Sequence, residues 1–557
     1  MRGYDRAQIS RAVETALDNI DAEGFDDILG HPFEWWMLKD PVLRRRVQAE
    51  AVARIDPGKI EHLKLEAVDR VWVPKRVLND HRTASRLHPM DAIVFNALAI
   101  LMFDSIEAAR PDVSKQRVFS YRKAFDGRLL WARHSDALAK FHEYVRYRRA
   151  AKDVTVVVKC DIATFYDRIN LHRVQSALED VGVPEAAHEL LNKALITWAD
   201  QNSYSLPIGG NGSRIIAEAV MIPVDQHLEL HGVDFCRYVD DYRLFAPDAA
   251  TAHRWVLLLA ARLAGDGLSL NPSKTHVEPA SSSEEEDERE TRRETTQGTP
   301  SIEKLEFMHG PSGRARIVKR YVTPKDAARA EYAKMDIAKA IAAAREHAVL
   351  GTNELQGILK GIEVRREFIH LAVVVELLYS APAFTQYFCD FLLRARDLVP
   401  HDVRARVATL VGAYLNDGKA AITEWIEARI AEVLGHSSYT NPQALYQRFR
   451  ERQSMSGSFA RVALLYGMYG KGLSLEQARW LKEQAKSETG SVKRAILAVV
   501  NERLMGGERK AWQRNRGQFH ECDIFSEWLV ADFDRASQAL QGWRVDLAKH
   551  WDDGKLL

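Results

Sequence analysis

Phe235-Cys236-Arg237-Tyr238-Val239-Asp240-Asp241-Tyr242-Arg243-Leu244-Phe245 decides the fold of this chain. Strand-forming residues lie on both sides of two adjacent aspartates, and aspartate tolerates turn geometry. The stretch therefore predicts strand, tight turn, strand. An Asp-Asp pair alone is usually a solvated turn; an acidic partner upstream gives it weight. In Val154-Thr155-Val156-Val157-Val158-Lys159-Cys160-Asp161 the β-branched run predicts a buried central strand with Asp161 at its end. A carboxylate there is costly unless paired or on a metal. Two strand-end acidic sites, about eighty residues apart, point to one two-metal centre for phosphoryl chemistry.

Asp161 with Phe165, Tyr166 and Asp167 resembles the first catalytic motif of the reverse transcriptases, and Tyr238-Val239-Asp240-Asp241 resembles their Tyr-x-Asp-Asp motif. The resemblance implies an α+β right-hand polymerase, with fingers and a palm built on an antiparallel sheet. It implies Asp161 and Asp240 as direct Mg²⁺ ligands, Asp241 as the second acid of the pair, and Ile162 in the metal shell. Two Mg²⁺ per site are implied, with Mn²⁺ as an alternative. Tyr166 takes the place of the family's aromatic steric gate, whose ring clashes with a 2′-hydroxyl and so favours dNTPs.

Leu206-Pro207-Ile208-Gly209-Gly210-Asn211-Gly212-Ser213 reads as a glycine-rich turn entering a helix near Ser213. Such a turn lets backbone approach a ligand, and a helix start favours anions. It resembles the family motif that supports template and nucleotide, which makes Gly209 and Ser213 implied dNTP contacts. Many reverse transcriptases have Pro-Gln-Gly here; this chain has Pro-Ile-Gly. With Ser213-Arg214-Ile215-Ile216-Ala217-Glu218 the wording is closer to the bacterial abortive-infection and defence-associated branch. Gly267 to Thr275 resembles the next motif, whose lysine, here Lys274, lies near the leaving pyrophosphate as general acid or charge clamp.

Upstream, Val71-Trp72-Val73-Pro74-Lys75 reads as a strand ending at a lysine. Arg76, Arg82 and Arg86 follow, then a helix opened by Pro89. Alone this is a solvated basic loop. It resembles the fingers of the same family, and by that resemblance Lys75 and either Arg82 or Arg86 hold the incoming triphosphate.

The chain has 557 residues, too many for one core. A net charge of +1 excludes a global basic field, so nucleic acid needs a local basic channel. Four cysteines without a C-x-x-C pair argue against a zinc site or disulfide framework and fit a reducing cytoplasm. The polar N-terminus lacks a signal-peptide core. The best apolar run, Ile93 to Phe103, contains Asn96 and is short of a membrane span, so no membrane contact is expected.

These readings divide the chain into a helical leader (1–65), fingers (66–150), a palm (151–323) with an acidic low-complexity insertion (281–300), and a helical thumb or C-terminal domain (324–557). The aromatic cluster His31 to Trp36 is expected to pack the leader. Val118–Arg122 and Phe125–Trp131 are expected to complete the fingers sheet. Asp167 should cap a helix that buries Ile169, Val174 and Leu178. Leu305–Met308 and Arg316–Val318 read as strands. Helical spacing runs through Ala327–Ala344, Val403–Leu415, Lys419–Leu434 and Leu475–Ala485. No strict repeat shows, and a HEAT-like arrangement rests on analogy with the defence-type enzymes.

The expected function is RNA-directed DNA synthesis from dNTPs, in antiphage defence. A primer or protein hydroxyl is the acceptor, with an RNA template or without any template, and the DNA product is covalently attached in the protein-primed case. A cytoplasmic homo-oligomer is expected. Two alternatives stay open: an intron-type or other template-directed reverse transcriptase, and a catalytically retired palm serving as an RNA-binding or assembly module.

Overall fold

The computed structural model describes residues 3–25, 31–55, 63–74, 81–126, 128–131, 134–281, 323–324, 326–347, 350–451, 457–469, 472–514, 523–531 and 538. The chain divides into two compact units. One comprises 1–68, 85–295 and 308–317; the other comprises 69–84, 296–307 and 318–557. Lys75, the acidic insertion from 282 onward and the strands expected at 305–308 and 316–318 lie outside the described residues.

In the first unit the helices are α1 (Arg6–Glu23), α2 (Pro32–Met37), α3 (Pro41–Ile55), α4 (Pro89–Ala109), α5 (His134–Arg149), α6 (Phe165–Arg168), α7 (Leu171–Asp180), α8 (Glu185–Trp198), α9 (Asn211–Leu230) and α10 (Ala249–Gly265). The strands among the described residues are β1 (Asp69–Pro74), β2 (His81–Arg86), β3 (Lys123–Asp126), β4 (Leu129–Trp131), β5 (Val156–Asp161), β6 (Phe235–Tyr238), β7 (Asp241–Ala246) and β8 (His276–Pro279). Four of them form an antiparallel sheet in the order β6-β7-β5-β8. The valine run of β5 is central, and Val157 and Val158 are fully buried there. Strand side chains alternate between faces. Val157, Cys236 and Phe245 therefore share one face, which packs on Phe141 and Val145 of α5. Arg237, Tyr242 and Leu244 point the other way, where α9 and α10 lie. Val118 does not join β3 and β4; it bridges Arg237 and extends the four-stranded sheet beyond β6.

Helix α4 is the core of this unit, packed by α1, α3, α8 and α9. Its apolar stretch is longer than the sequence reading allowed. The whole of Pro89–Ala109 has the length and hydropathy to cross a membrane. Its burial explains that composition. Asp91 accepts from the Glu66 amide at 2.8 Å and Trp198 Nε1 at 3.3 Å, and Asn96 accepts from the Gly212 amide at 2.7 Å. The aromatic leader cluster packs inward: Phe33 is fully buried, and Trp35 donates to the Ile20 carbonyl. The cap of α7 is Asn170, which accepts from the His172 amide; Asp167 lies within α6 instead. Ile169, Val174 and Leu178 are buried as expected.

In the second unit, β1 pairs with β2 in a two-stranded sheet and packs against the helices Glu424–Gly435 and Ser458–Met468. Val71 and Val73 are buried and Trp72 between them is 62% exposed, the alternation of a half-buried strand. Ser458 Oγ donates to the Asp69 carboxylate. The helices expected at 327–344 and 419–434 are shorter. Asp336 caps a fresh start at Ile337 by accepting from the Lys339 amide, and Thr423 caps Glu424–Gly435. Alternate helices stack: Thr385–Arg394 on Glu424–Gly435, that helix on Ser458–Met468, and that in turn on Gly490–Arg503. Arg429, Arg461 and Arg494 are buried on successive alternate helices, 32 and 33 positions apart, and pair with Glu432, Glu488 and Asp523.

Candidate active site

The hairpin between β6 and β7 closes through two residues, Val239 and Asp240, with Tyr238 paired to Asp241. Val239 has φ +57°, and a positive φ at the first turn residue is the pattern of a type II′ turn, where glycine is the usual occupant. A β-branched residue in that conformation is strained, and such strain persists only where neighbours enforce it. Asp161 ends β5 in register with Asp241, and the Ile162 amide donates to the Asp240 carbonyl at 3.2 Å. The ends of three adjacent strands thus bring Asp161, Asp240 and Asp241 together.

Their electrostatics follow from that crowding. Burial, then the charges of Asp241 and Asp161, push the Asp240 carboxyl up to about 7. Asp241 is raised as well, by burial first, with Arg243 pulling the other way. Lys274 Nζ lies 3.1 Å from Asp161 Oδ1, and Arg243 Nη1 lies 4.0 Å from Asp241 Oδ1. The loop that carries Lys274 is stitched to the end of β5. The Ala163 amide donates to the Ser269 carbonyl, the Asn271 amide to the Asp161 carbonyl at 2.7 Å, and Asn271 Nδ2 to Asp161 Oδ2 at 3.2 Å.

Tyr166 is partly exposed. Burial raises its hydroxyl well above the usual tyrosine range, and Tyr121, Arg214, Asp240 and Glu218 lie within electrostatic reach of it. Its carbonyl accepts from the Leu206 amide at 3.0 Å, which ties the implied gate to the glycine-rich turn. In that turn Gly209 has φ +128°, a conformation that favours glycine. Helix α9 begins at Asn211, with Gly210 as its N-cap. A Cβ on Gly212 would stand 3.0 Å from the Phe95 ring. Ser213 is buried and its hydroxyl donates to the Pro207 carbonyl. Arg86 is buried too, its guanidinium on His31 Nδ1 at 3.0 Å. Nothing is described of the Arg82 side chain.

The residues that sequence reasoning passed over lie behind the turn. Arg237, 1% exposed, donates through Nε and Nη2 to Asp225 and through Nη2 to Glu218 Oε2 at 2.9 Å. Its Nη1 donates to the Val239 carbonyl at 2.8 Å. Arg110 Nη2 shares the same Glu218 oxygen, Ser120 donates to Oε1, and the Tyr242 hydroxyl donates to Asp225. Burial alone would discharge these groups, but Asp225 and Glu218 hold the Arg237 guanidinium firmly charged, and the two arginines keep Glu218 below the ordinary carboxylate range. A signal existed: an arginine inside an otherwise apolar strand, and acids seven residues apart on one face of an apolar helix.

Three aspartates at neighbouring strand ends, two of them acting electrostatically on the third, make a set of oxygen donors of the kind a hard divalent cation takes. The all-oxygen donor set suits Mg²⁺, and a cation would offset the burial and the neighbouring acids that together raise Asp240. As they stand, no group of three or more His, Cys, Asp or Glu among the described residues converges on one point. The Lys274 ammonium faces Asp161 instead.

Comparison with known proteins names the class. Residues 78–293 match the family described as reverse transcriptase (RNA-dependent DNA polymerase). The chain thus contains a reverse transcriptase domain and is by class an RNA-directed DNA polymerase. The span holds the sheet, all three aspartates, Tyr166, the glycine-rich turn and Lys274. No curated protein matches the chain. Among solved structures, a telomerase from Candida albicans, in complex with a fragment of telomeric RNA, is 13% identical. It aligns over 75% of this chain and 68% of its own, with a TM-score of 0.29. An apo telomerase from Candida tropicalis is 10% identical over 72% of this chain and 69% of its own, with a TM-score of 0.28. Similarity at that level carries no argument here.

Proposed function

We propose that the reverse transcriptase domain makes DNA from dNTPs by nucleotidyl transfer at Asp161, Asp240 and Asp241, and that it serves antiphage defence. The placement of Asp161, Asp240 and Asp241 at the ends of adjacent strands supports the chemical part of this reading. Bound Mg²⁺ ions would lower the pKa of the attacking hydroxyl and stabilise charge on the transferring phosphate and the leaving pyrophosphate. Asp161 and Asp240 would hold them, with Asp241 completing the acidic set. Tyr166 stands within reach of Asp240 and restricts the sugar. Lys274, on its stitched loop, supplies positive charge to the outgoing pyrophosphate.

The defence role rests on the Pro207-Ile208-Gly209 and Ser213–Glu218 wording. The stack of alternate helices in the second unit has the packing expected of a helical-repeat domain, which we take as part of the same reading.

The test is purification of the full chain and assay with dNTPs or rNTPs, with and without RNA template, in Mg²⁺ or chelator. Metal-dependent dNTP incorporation is expected. A folded protein that incorporates nothing under any of these conditions would fit the retired-palm alternative and refute the enzymatic reading. Co-purifying DNA that resists protein denaturation would identify a protein-primed mechanism. Unchanged phage plating on cells that express the active chain would remove the defence role.

A further inference from the structure

We infer that Arg237 is a positioning residue of the polymerase: its buried guanidinium holds the Val239 carbonyl and so fixes where the neighbouring Asp240 stands. This rests on the reading of Asp240 as an active-site acid. Strand alternation places Arg237 on the face of the sheet opposite Asp161 and Asp241, so it touches none of the reacting groups. It acts through one bond, Nη1 to the Val239 carbonyl at 2.8 Å. Its other nitrogens are committed to α9, to Asp225 at 2.6 to 3.2 Å and to Glu218 at 2.9 Å.

The geometry gives that bond a purpose. Val239 is β-branched and sits at φ +57°, which a two-residue turn with valine in this place would not adopt unaided. A donor anchored at several points on a helix resists the turn's relaxation. A planar guanidinium suits the task, because its donors leave in fixed directions. Arg110, Glu218, Arg237 and Asp225 carry two charges of each sign, so the anchor is balanced as well as buried. Arg110 is the C-cap of α4 and also donates to the Ser120 and Tyr121 carbonyls. The turn is thereby referenced to two core helices rather than to its own hairpin.

The test compares three variants of the full chain. Arg237→Lys keeps the charge, but a single ammonium cannot reach Val239, Asp225 and Glu218 together. Arg237→Gln with Asp225→Asn removes one charge of each sign, so it folds even if the lysine variant does not. Ser120→Ala weakens the same network at a distance from the turn. Each is assayed for melting temperature, for kcat and dNTP KM, and for Mn²⁺ affinity by electron paramagnetic resonance. Both Arg237 variants should lose at least tenfold in kcat and bind Mn²⁺ at least threefold more weakly, with dNTP KM within threefold of wild type. Ser120→Ala should lose melting temperature without either change. If kcat and Mn²⁺ affinity survive in a folded Arg237 variant, or fall in Ser120→Ala in proportion to its melting temperature, Arg237 is structural only and the inference fails. If wild type binds Mn²⁺ yet incorporates no nucleotide, the enzymatic reading fails separately, and the Mn²⁺ comparison still decides the role of Arg237.

Discussion

Replacing Asp240 with asparagine should make the protein more stable and inactive at once. The carboxyl is raised from 3.8 to about 7, chiefly by burial and then by Asp241 and Asp161. The folded state thus binds this proton more tightly than the unfolded state. The stability this confers is complete below about pH 4, is lost as the pH rises to about 7, and stays lost above it. Taken whole, the shift corresponds to ~4 kcal/mol at 1.36 kcal/mol per unit. Asp240 is partly exposed, so solvent screening reduces the figure to ~2 kcal/mol. Asparagine has nearly the same shape and no charge. At pH 8 in chelator, Asp240→Asn should melt about 3 °C above wild type, at roughly 1.6 °C per kcal/mol for a unit of this size. The gain should shrink toward zero as the pH falls to about 4. Added Mg²⁺ should raise the melting temperature of wild type and leave the variant unmoved. Incorporation of dNTP should fall by at least ~10³-fold, since losing this group removes several kcal/mol of transition-state stabilisation. Scanning calorimetry against pH, run beside a primer-extension assay, reads both quantities. A variant that melts no higher than wild type at pH 8 in chelator would refute the electrostatic account of the site. Near-normal incorporation would refute its catalytic assignment.

Other expectations follow from single contacts. Tyr166→Ala should admit rNTPs, seen as a fall of tenfold or more in the dNTP-to-rNTP ratio of kcat/KM; unchanged sugar selection would remove Tyr166 as the gate. A Cβ on Gly435 would lie 2.6 Å from the Gly467 Cα and 3.0 Å from its carbonyl oxygen, so Gly435→Ala must push two backbones apart. It should cost about 1–3 kcal/mol by denaturant unfolding. Gly357→Ala meets nothing within 4 Å on a helix and should gain about 0.5–1 kcal/mol; equal effects at the two positions would contradict the packing.

The β6–β7 hairpin with its Asp-Asp turn, the central valine strand ending at Asp161 and the glycine-rich entry to α9 were legible in the residues alone. These are local statements: strand and turn preferences act over a few residues. The spacing of Arg429, Arg461 and Arg494 is present in the chain, but only their burial separates them from its other arginines. Only the tertiary structure decided that Arg237 turns away from the acids onto Asp225 and Glu218, and that β1 packs on helices more than 350 positions further along the chain. It likewise decided that an apolar helix such as Pro89–Ala109 is a core helix. Each depends on partners distant in sequence, and a charge or an apolar face acquires its meaning only from the group that folding brings against it.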